Sequence, residues 1–479
     1  MLLEGPNPST LDGIDMSANQ PVDFLISHTI VVTMNPRREV ITDGAVAIRG
    51  REIAAVGKTD DLKACFQSRK ELDGSRFVVC PGLINCHIHI TGEPITRGYV
   101  PDDTTFKENV FEWLCPLYAS ANEREEQLSA QLAAAELLKS GTTTFLEAGT
   151  IRFVDAVVEG LTAVGIRGRI GEWTWDRPEE PAVYRRTTAD AIASLERLMN
   201  RHRDDADGRL MAWPMLVGHT TCTPELWRAA KRIADECRVG MNFHMSPAAM
   251  DPAGFLKEYG MRPMEFLARN GILDRNVVVT HCVHLDDHEV DLLAEHGANV
   301  AHCPTTALKV AYGVTQIGKM PEMVERGVNV VIGTDGNNAS NYSDMMRATY
   351  LVAGLFKDAR RDTKMFPAEK AFEMATLGGA RALLAEDQIG SIEPGKRADL
   401  VLHDRRRPEW TPLLNVANQL VYSADGRSVH TVFVDGRIVV ENYRLTTIDE
   451  DRLYAEAQQA GEAICRRTGL PDRATWPRI

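Results

Sequence analysis

Between about residues 78 and 335 the chain repeats one pattern eight times: a short β-branched or apolar run, polar residues at its C-terminal end, then a segment of helical periodicity. The runs are RFVVCPGLINCHIHI, TTTFLEA, RGRIGEWTW, LMAWPMLVGHT, VGMNFHMS, NVVVTHCVH, ANVAHCP and VNVVIGTDG. Intervening segments such as 124–140, 188–202 and 224–237 place apolar residues at i, i+3, i+4 and i+7, and several begin beside a Ser, Thr or Asp suited to capping. Eight strands alternating with helices predict an α/β fold, a (β/α)8 TIM-like barrel. A doubly wound open sheet would use fewer strands, and no Gly-x-Gly-x-x-Gly follows the first run.

The flanks have a different character. VDFLISHTIVVTMN and ITDGAVAIRGREIAAVG before the barrel, and IGSIEPGKRADLVLHD and SVHTVFVDGRIVVEN after it, read as short strands joined by DG, RG and PG turns. The expected organisation is therefore a β-sandwich domain built from both chain ends, with residues 1–80 as its first part and 81–385 as the barrel. Residues 386–479 supply its second part and a C-terminal amphipathic helix from about residue 449.

Composition narrows the partners. With 54 Lys and Arg against 67 Asp and Glu, the net charge of −13 repels phosphate backbones and anionic membrane surfaces. Neither nucleic acid nor membrane is expected as a partner. No apolar stretch is long enough to span a bilayer, and the first twenty residues carry no secretory pattern. Nine cysteines without a Cys-x-x-Cys pair read as reduced thiols of a cytoplasmic protein.

In such a barrel, functional side chains lie at the C-terminal ends of the strands. His87 and His89 end the first run, His219 the fourth, His244 the fifth, His281 and His284 the sixth, His302 the seventh and Asp335 the eighth. On a strand, His-x-His presents both imidazoles on one face, because side chains alternate with period two. His87, His89, His244 and Asp335 together make a donor set for one borderline-soft divalent ion. Zinc fits best, with iron, cobalt or manganese as alternatives.

PGLINCHIHI, NFH, THCVHLDD, AHCP, GTDG and PGKRADLV, in this order, resemble the amidohydrolase superfamily, specifically its mononuclear branch of aminohydrolases and triazine hydrolase-like chlorohydrolases. The resemblance implies a metal on His87, His89, His244 and Asp335 whose bound water is the nucleophile. It further implies Asp335 as general base and His281 as hydrogen-bond partner of the attacking oxygen. The fourth run offers no lysine for the carboxylated bridge of binuclear relatives, so one metal is expected. His219 matches a substrate-facing position, or is a helix-entry histidine near the cap Thr223. Trp113 lies in the segment that covers the pocket in relatives, and is either a substrate contact or a buried structural residue. The resemblance also implies a homo-oligomer, a dimer or larger.

One departure bears on the substrate. Deaminases of this branch carry a glutamate three residues after the fifth-strand histidine, to protonate the substrate ring; here that residue is Pro247. The seventh strand departs as well, with Thr306 and Ala307 where relatives carry Ser-Asn. The expectation is therefore hydrolysis of a carbonyl C–N bond in a small neutral urea, carbamate or amide, as in phenylurea and thiocarbamate (molinate) hydrolases that degrade xenobiotics. The alternative is an aminohydrolase or chlorohydrolase acting on a triazine, purine or pterin, with its acid recruited elsewhere, for instance from Glu147. A non-catalytic barrel would have lost metal ligands, and all four are present.

Overall fold

The computed structural model describes residues 19–473 and 476. The first eighteen residues, part of the expected 1–80 segment and of the stretch without a secretory pattern, lie outside the described residues. Eight strand positions form the central barrel. The first three strands are Leu83–Ile88, Thr142–Glu147 and Arg167–Ile170, and the last four are Met241–Met245, Val277–His281, Asn299–His302 and Asn329–Ile332. The fourth position is split into Leu210–Ala212 and Met215–Gly218 by Trp213 and Pro214. Proline has no N–H to give a ladder, so the first piece pairs back to the third strand and the second piece forward to the fifth. Neighbouring strands run parallel, and the ring closes where the amides of Thr334 and Asp335 donate to the His87 carbonyl at 3.1 and 2.9 Å.

The helices start where their capping chemistry dictates. Glu123–Lys139 begins behind Asn122 with a reciprocal capping box to Glu125, Thr188–His202 behind Thr187, and Pro224–Cys237 behind Thr223 with proline in its first turn. The first, second, third, fifth, sixth and seventh strands are buried along their whole length, as expected for a parallel sheet covered on both sides.

Strands from both chain ends build one continuous nine-stranded sheet among the described residues. Its centre is the antiparallel pairing of Phe77–Pro81 with Leu400–Asp404, residues more than 300 apart in sequence. Ile26, Ile48 and Val79 from the first end and Leu400, Leu402 and Phe433 from the second share one core, so neither end can bury its apolar face alone. The terminal helix Glu450–Thr468 packs on Glu123–Lys139. No helix among the described residues is long and apolar enough to cross a membrane.

The barrel and the β-domain are joined by a buried charge cluster. Arg167 on the third barrel strand bonds Asp399 at 2.8 Å and Asp435 at 2.6 Å, and the Asp435 amide donates to Asp399 at 2.8 Å. Removing the guanidinium leaves buried Asp399 without its cation and Asp435 with only the longer contacts to Arg51 and Arg397, at 4.0 and 3.9 Å. Arg167→Ala is expected to cost about 3–5 kcal/mol, visible as a lowered midpoint in chemical or thermal unfolding; an unchanged midpoint would contradict this assignment.

Candidate metal centre and active site

His87 lies within the first strand and His89 just beyond it, His244 near the end of the fifth, and His281 at the end of the sixth. His219 follows Met215–Gly218, and Asp335 lies three residues past the eighth strand. His219, His281 and Asp335 all have left-handed backbones, with φ of 53°, 80° and 63°. Such conformations are costly for residues with a Cβ, and they turn these side chains from the strand direction into the barrel mouth. Gly218, with φ of 83°, brings the backbone against His244: a Cβ there would lie 2.2 Å from the His244 carbonyl oxygen.

The ligand-type atoms of His87, His89 and His244 lie within 4.8 Å of one another, and all three residues are buried. Asp335 Oδ1 is 3.1 Å from His89 Nε2 and 3.4 Å from His87 Nε2, and Oδ2 is 3.9 Å from His281 Nε2. Each ligand imidazole is anchored through its other nitrogen. His244 Nδ1 donates to the Val217 carbonyl at 2.9 Å, His87 Nδ1 meets the Thr280 hydroxyl at 3.1 Å, and His89 Nδ1 lies 3.3 Å from the Tyr118 hydroxyl. The three Nε2 atoms are thereby left facing one point, and His87 Nε2 is a buried nitrogen without a hydrogen-bond partner. An orphaned imidazole nitrogen beside two others and a carboxylate fits a divalent cation of the zinc type. Cys303, which sequence reasoning did not single out, forms a second donor group with His87 and Asp335.

Charge and burial support the same reading. Burial keeps the His87 and His244 imidazoles below their usual range, and lowers His281 to about 3. Neutral imidazole is the form that coordinates metal. Asp335 is pushed up by burial, but the facing His87 and His89 hold it well below the usual carboxylate range. His89, despite burial, is raised to about 9 by Asp335 and Glu93. That negative surrounding is one a cation would neutralise.

Beside this cluster is a small cavity of about 70 Å³ lined by His89, His219, His244, His281 and Asp335 together with aromatic side chains. Its cover is the segment around the π-helix Glu108–Leu114, which contributes Phe106, Val110, Phe111 and Leu114. Trp113 does not line the cavity. Its ring packs edge-on against Tyr99 at 5.9 Å, so of its two expected placements it takes that of a buried structural residue, while Val110, Phe111 and Leu114 of the same segment line the cavity. His219 does line the cavity, and its Nδ1 donates to Asp251 Oδ2 at 2.6 Å. Glu147 is placed otherwise than an acid for the substrate requires: it accepts from the amides of Gly149 and Thr150 and from the Thr150 hydroxyl, at 2.5 to 3.2 Å, and closes its own turn. His302 is buried beside Phe356, away from the cavity lining, and Lys309 donates to the Asn338 carbonyl at 2.7 Å. Glu93, Tyr118, Asp251 and Tyr312 are the site residues that motif reading missed.

Residues 78–439 match the model of the Amidohydrolase family. The chain belongs to this family. A 5-methylthioadenosine/S-adenosylhomocysteine deaminase of Syntrophobacter fumaroxidans is 35% identical over 442 residues, covering 92% of this amidohydrolase and 98% of its own length. An adenosine deaminase of Xanthomonas campestris, solved with bound zinc, superposes with a TM-score of 0.86 at 30% identity, covering 94% of this chain and 100% of its own. A triazine hydrolase of Arthrobacter aurescens shares the fold, with a TM-score of 0.84, 22% identity and coverage of 91% and 99%. This amidohydrolase is therefore a hydrolase of carbon–nitrogen bonds other than peptide bonds. The two relatives named here at 30% identity or above are deaminases, and nearness to phenylurea or thiocarbamate hydrolases is not shown.

Zinc-loaded protein is expected to carry one equivalent of metal per chain by elemental analysis. His244→Ala should lose most of it, since one of the three convergent imidazoles is removed from the donor set; full retention would contradict the ligand assignment.

Proposed function

We propose that this amidohydrolase is a single-metal aminohydrolase that replaces an amino or alkylamino group on a small, uncharged nitrogen heterocycle by oxygen. The observation that carries this reading is that the His281–Asp335 edge of the site and His219, itself held by Asp251, are brought to one cavity lined by aromatic side chains. The deaminase relatives support it. The cavity, at about 70 Å³, is below the several hundred Å³ typical of sites for larger ligands, which favours a compact ring.

When bound, a divalent cation at His87, His89, His244 and Asp335 supplies the Lewis acidity that lets water act as a nucleophile near neutral pH. Asp335 accepts a proton from the attacking water and returns it to the departing nitrogen, so a C–O bond forms, the C–N bond breaks and ammonia or an amine leaves. His281 holds the oxygen on the attacked carbon. His219, oriented by Asp251, contacts the ring from the opposite wall. Phe106, Phe111 and Tyr312 exclude water around the ring.

The His219–Asp251 pair bears directly on Pro247. Asp251 Oδ2 also accepts from the Ser246 amide at 2.7 Å, so the pair is tied to the turn where deaminases of this branch hold their glutamate. A polar contact to the ring thus persists in that neighbourhood without residue 247. A second reading, cleavage of a urea or carbamate, rests on Pro247 itself, because an acyl carbon needs no ring protonation.

The deciding experiment is a panel of aminopurines, amino- and alkylaminotriazines, phenylureas and carbamates assayed with zinc-loaded protein. Ammonia or amine release from the heterocycles is expected, falling about 10²-fold or more in Asp335→Asn. Release from ureas or carbamates alone would overturn the first reading in favour of the second. Asp251→Asn is expected to lower heterocycle turnover while leaving the bound zinc unchanged, and unaltered kcat and KM in this variant would remove the pair from the mechanism.

A further inference from the structure

The three ligand imidazoles differ in what holds their distal nitrogens. A carbonyl serves His244 and a hydroxyl serves His87, but His89 faces a two-residue chain ending in the Glu93 carboxyl group. Its Nδ1 lies 3.3 Å from the Tyr118 hydroxyl, and that hydroxyl donates in turn to Glu93 Oε1, which is itself 3.9 Å from His89 Nδ1. Glu93 and Tyr118 are both buried and both line the cavity. The other carboxylate oxygen, Oε2, accepts from the Asn338 amide at 2.6 Å. Asn338 then returns to the loop that carries Glu93, taking the Gly98 amide at 3.0 Å and donating to the Thr96 hydroxyl at 3.0 Å. Glu93 therefore spans the loop after the first strand, which follows His89, and the loop after the eighth, which carries Asp335.

The fit is close. A Cβ at Gly336 would lie 1.9 Å from Glu93 Oε1, so only glycine next to Asp335 lets the carboxylate reach this position. Tyr118 is held by ring packing independent of its hydroxyl, edge-on to Trp173 at 5.5 Å.

We propose that Glu93 and Tyr118 form a relay that positions His89 as a metal ligand, with the His89 Nδ1–H on the Tyr118 oxygen and the Tyr118 O–H on Glu93. The relay fixes the tautomer and ring orientation that leave Nε2 for the cation, and adds electron density to the imidazole through the hydrogen-bonded carboxylate. Neither residue touches the metal; both are positioning residues. The inference rests on the metal site and is independent of which C–N substrate is hydrolysed.

The test is zinc affinity, measured by competition with a chromophoric chelator, for the full-length protein and the variants Tyr118→Phe, Glu93→Gln and their combination. Each single variant is expected to bind zinc about 10- to 100-fold more weakly. The double variant should be no weaker than the weaker single, because both changes interrupt one relay. The unfolding midpoint of metal-free Tyr118→Phe should match that of the parent, since the ring is retained. If Glu93→Gln does not fold, Tyr118→Phe decides alone. Zinc affinity within twofold of the parent in Tyr118→Phe overturns the relay while leaving the metal site standing. A parent protein that binds no zinc overturns both the relay and the metal reading beneath it.

Discussion

Everything at the barrel mouth depends on one electrostatic arrangement: buried imidazoles, three of which can serve as ligands, converging on a buried carboxylate. Burial alone would push the Asp335 carboxyl up, and the facing His87 and His89 hold it well below the usual carboxylate range. The same convergence leaves His87 Nε2 without a hydrogen-bond partner. A packed apolar centre would be simpler to build, and this one is maintained by backbone conformations that residues with a Cβ adopt at a cost. The barrel provides rigidity for that: each group stands at or near a strand end, and two are anchored through another strand, His244 through Val217 and His87 through Thr280.

The remaining parts serve this centre at increasing distance. The loops after the first and eighth strands are bridged by Glu93, the cover segment encloses the cavity with aromatic rings, and the terminal helix braces that region from outside. Its residue Gly461 approaches Ile95 so closely that a Cβ would lie 1.9 Å from the carbonyl oxygen. The β-domain is tied in at the opposite end through Arg167, Asp399 and Asp435.

Much of this was legible in the sequence where a period or a strand end carried the signal. The alternation of runs marked the barrel, and period two in His87-x-His89 marked the ligand pair. Thr187 and Thr223 marked helix starts. What escaped lies where no period applies. Glu93 and Asp251 act through loops whose course depends on tertiary packing, and a carboxylate four residues after a histidine looks like any polar turn residue. Trp113 and its neighbours sit in a π-helix, whose phase differs from the 3.6-residue period, so the face turned to the cavity could not be counted out. Pro247 was readable as the loss of a proton donor. The packing of Met250–Tyr259, which puts Asp251 on His219, was not; together with the deaminase relatives it favours the proposed aminohydrolase reading over the urea expectation.

The proposed chemistry stands on one cation held by nitrogen and oxygen alone, from His87, His89, His244 and Asp335. X-ray absorption at the zinc edge of the loaded protein reads that ligand set without reference to substrate. A single shell of nitrogen and oxygen neighbours at about 2.0–2.1 Å is expected. A sulfur neighbour at about 2.3 Å would place the ion instead on the His87, Cys303 and Asp335 group, and would contradict the site on which that chemistry is built.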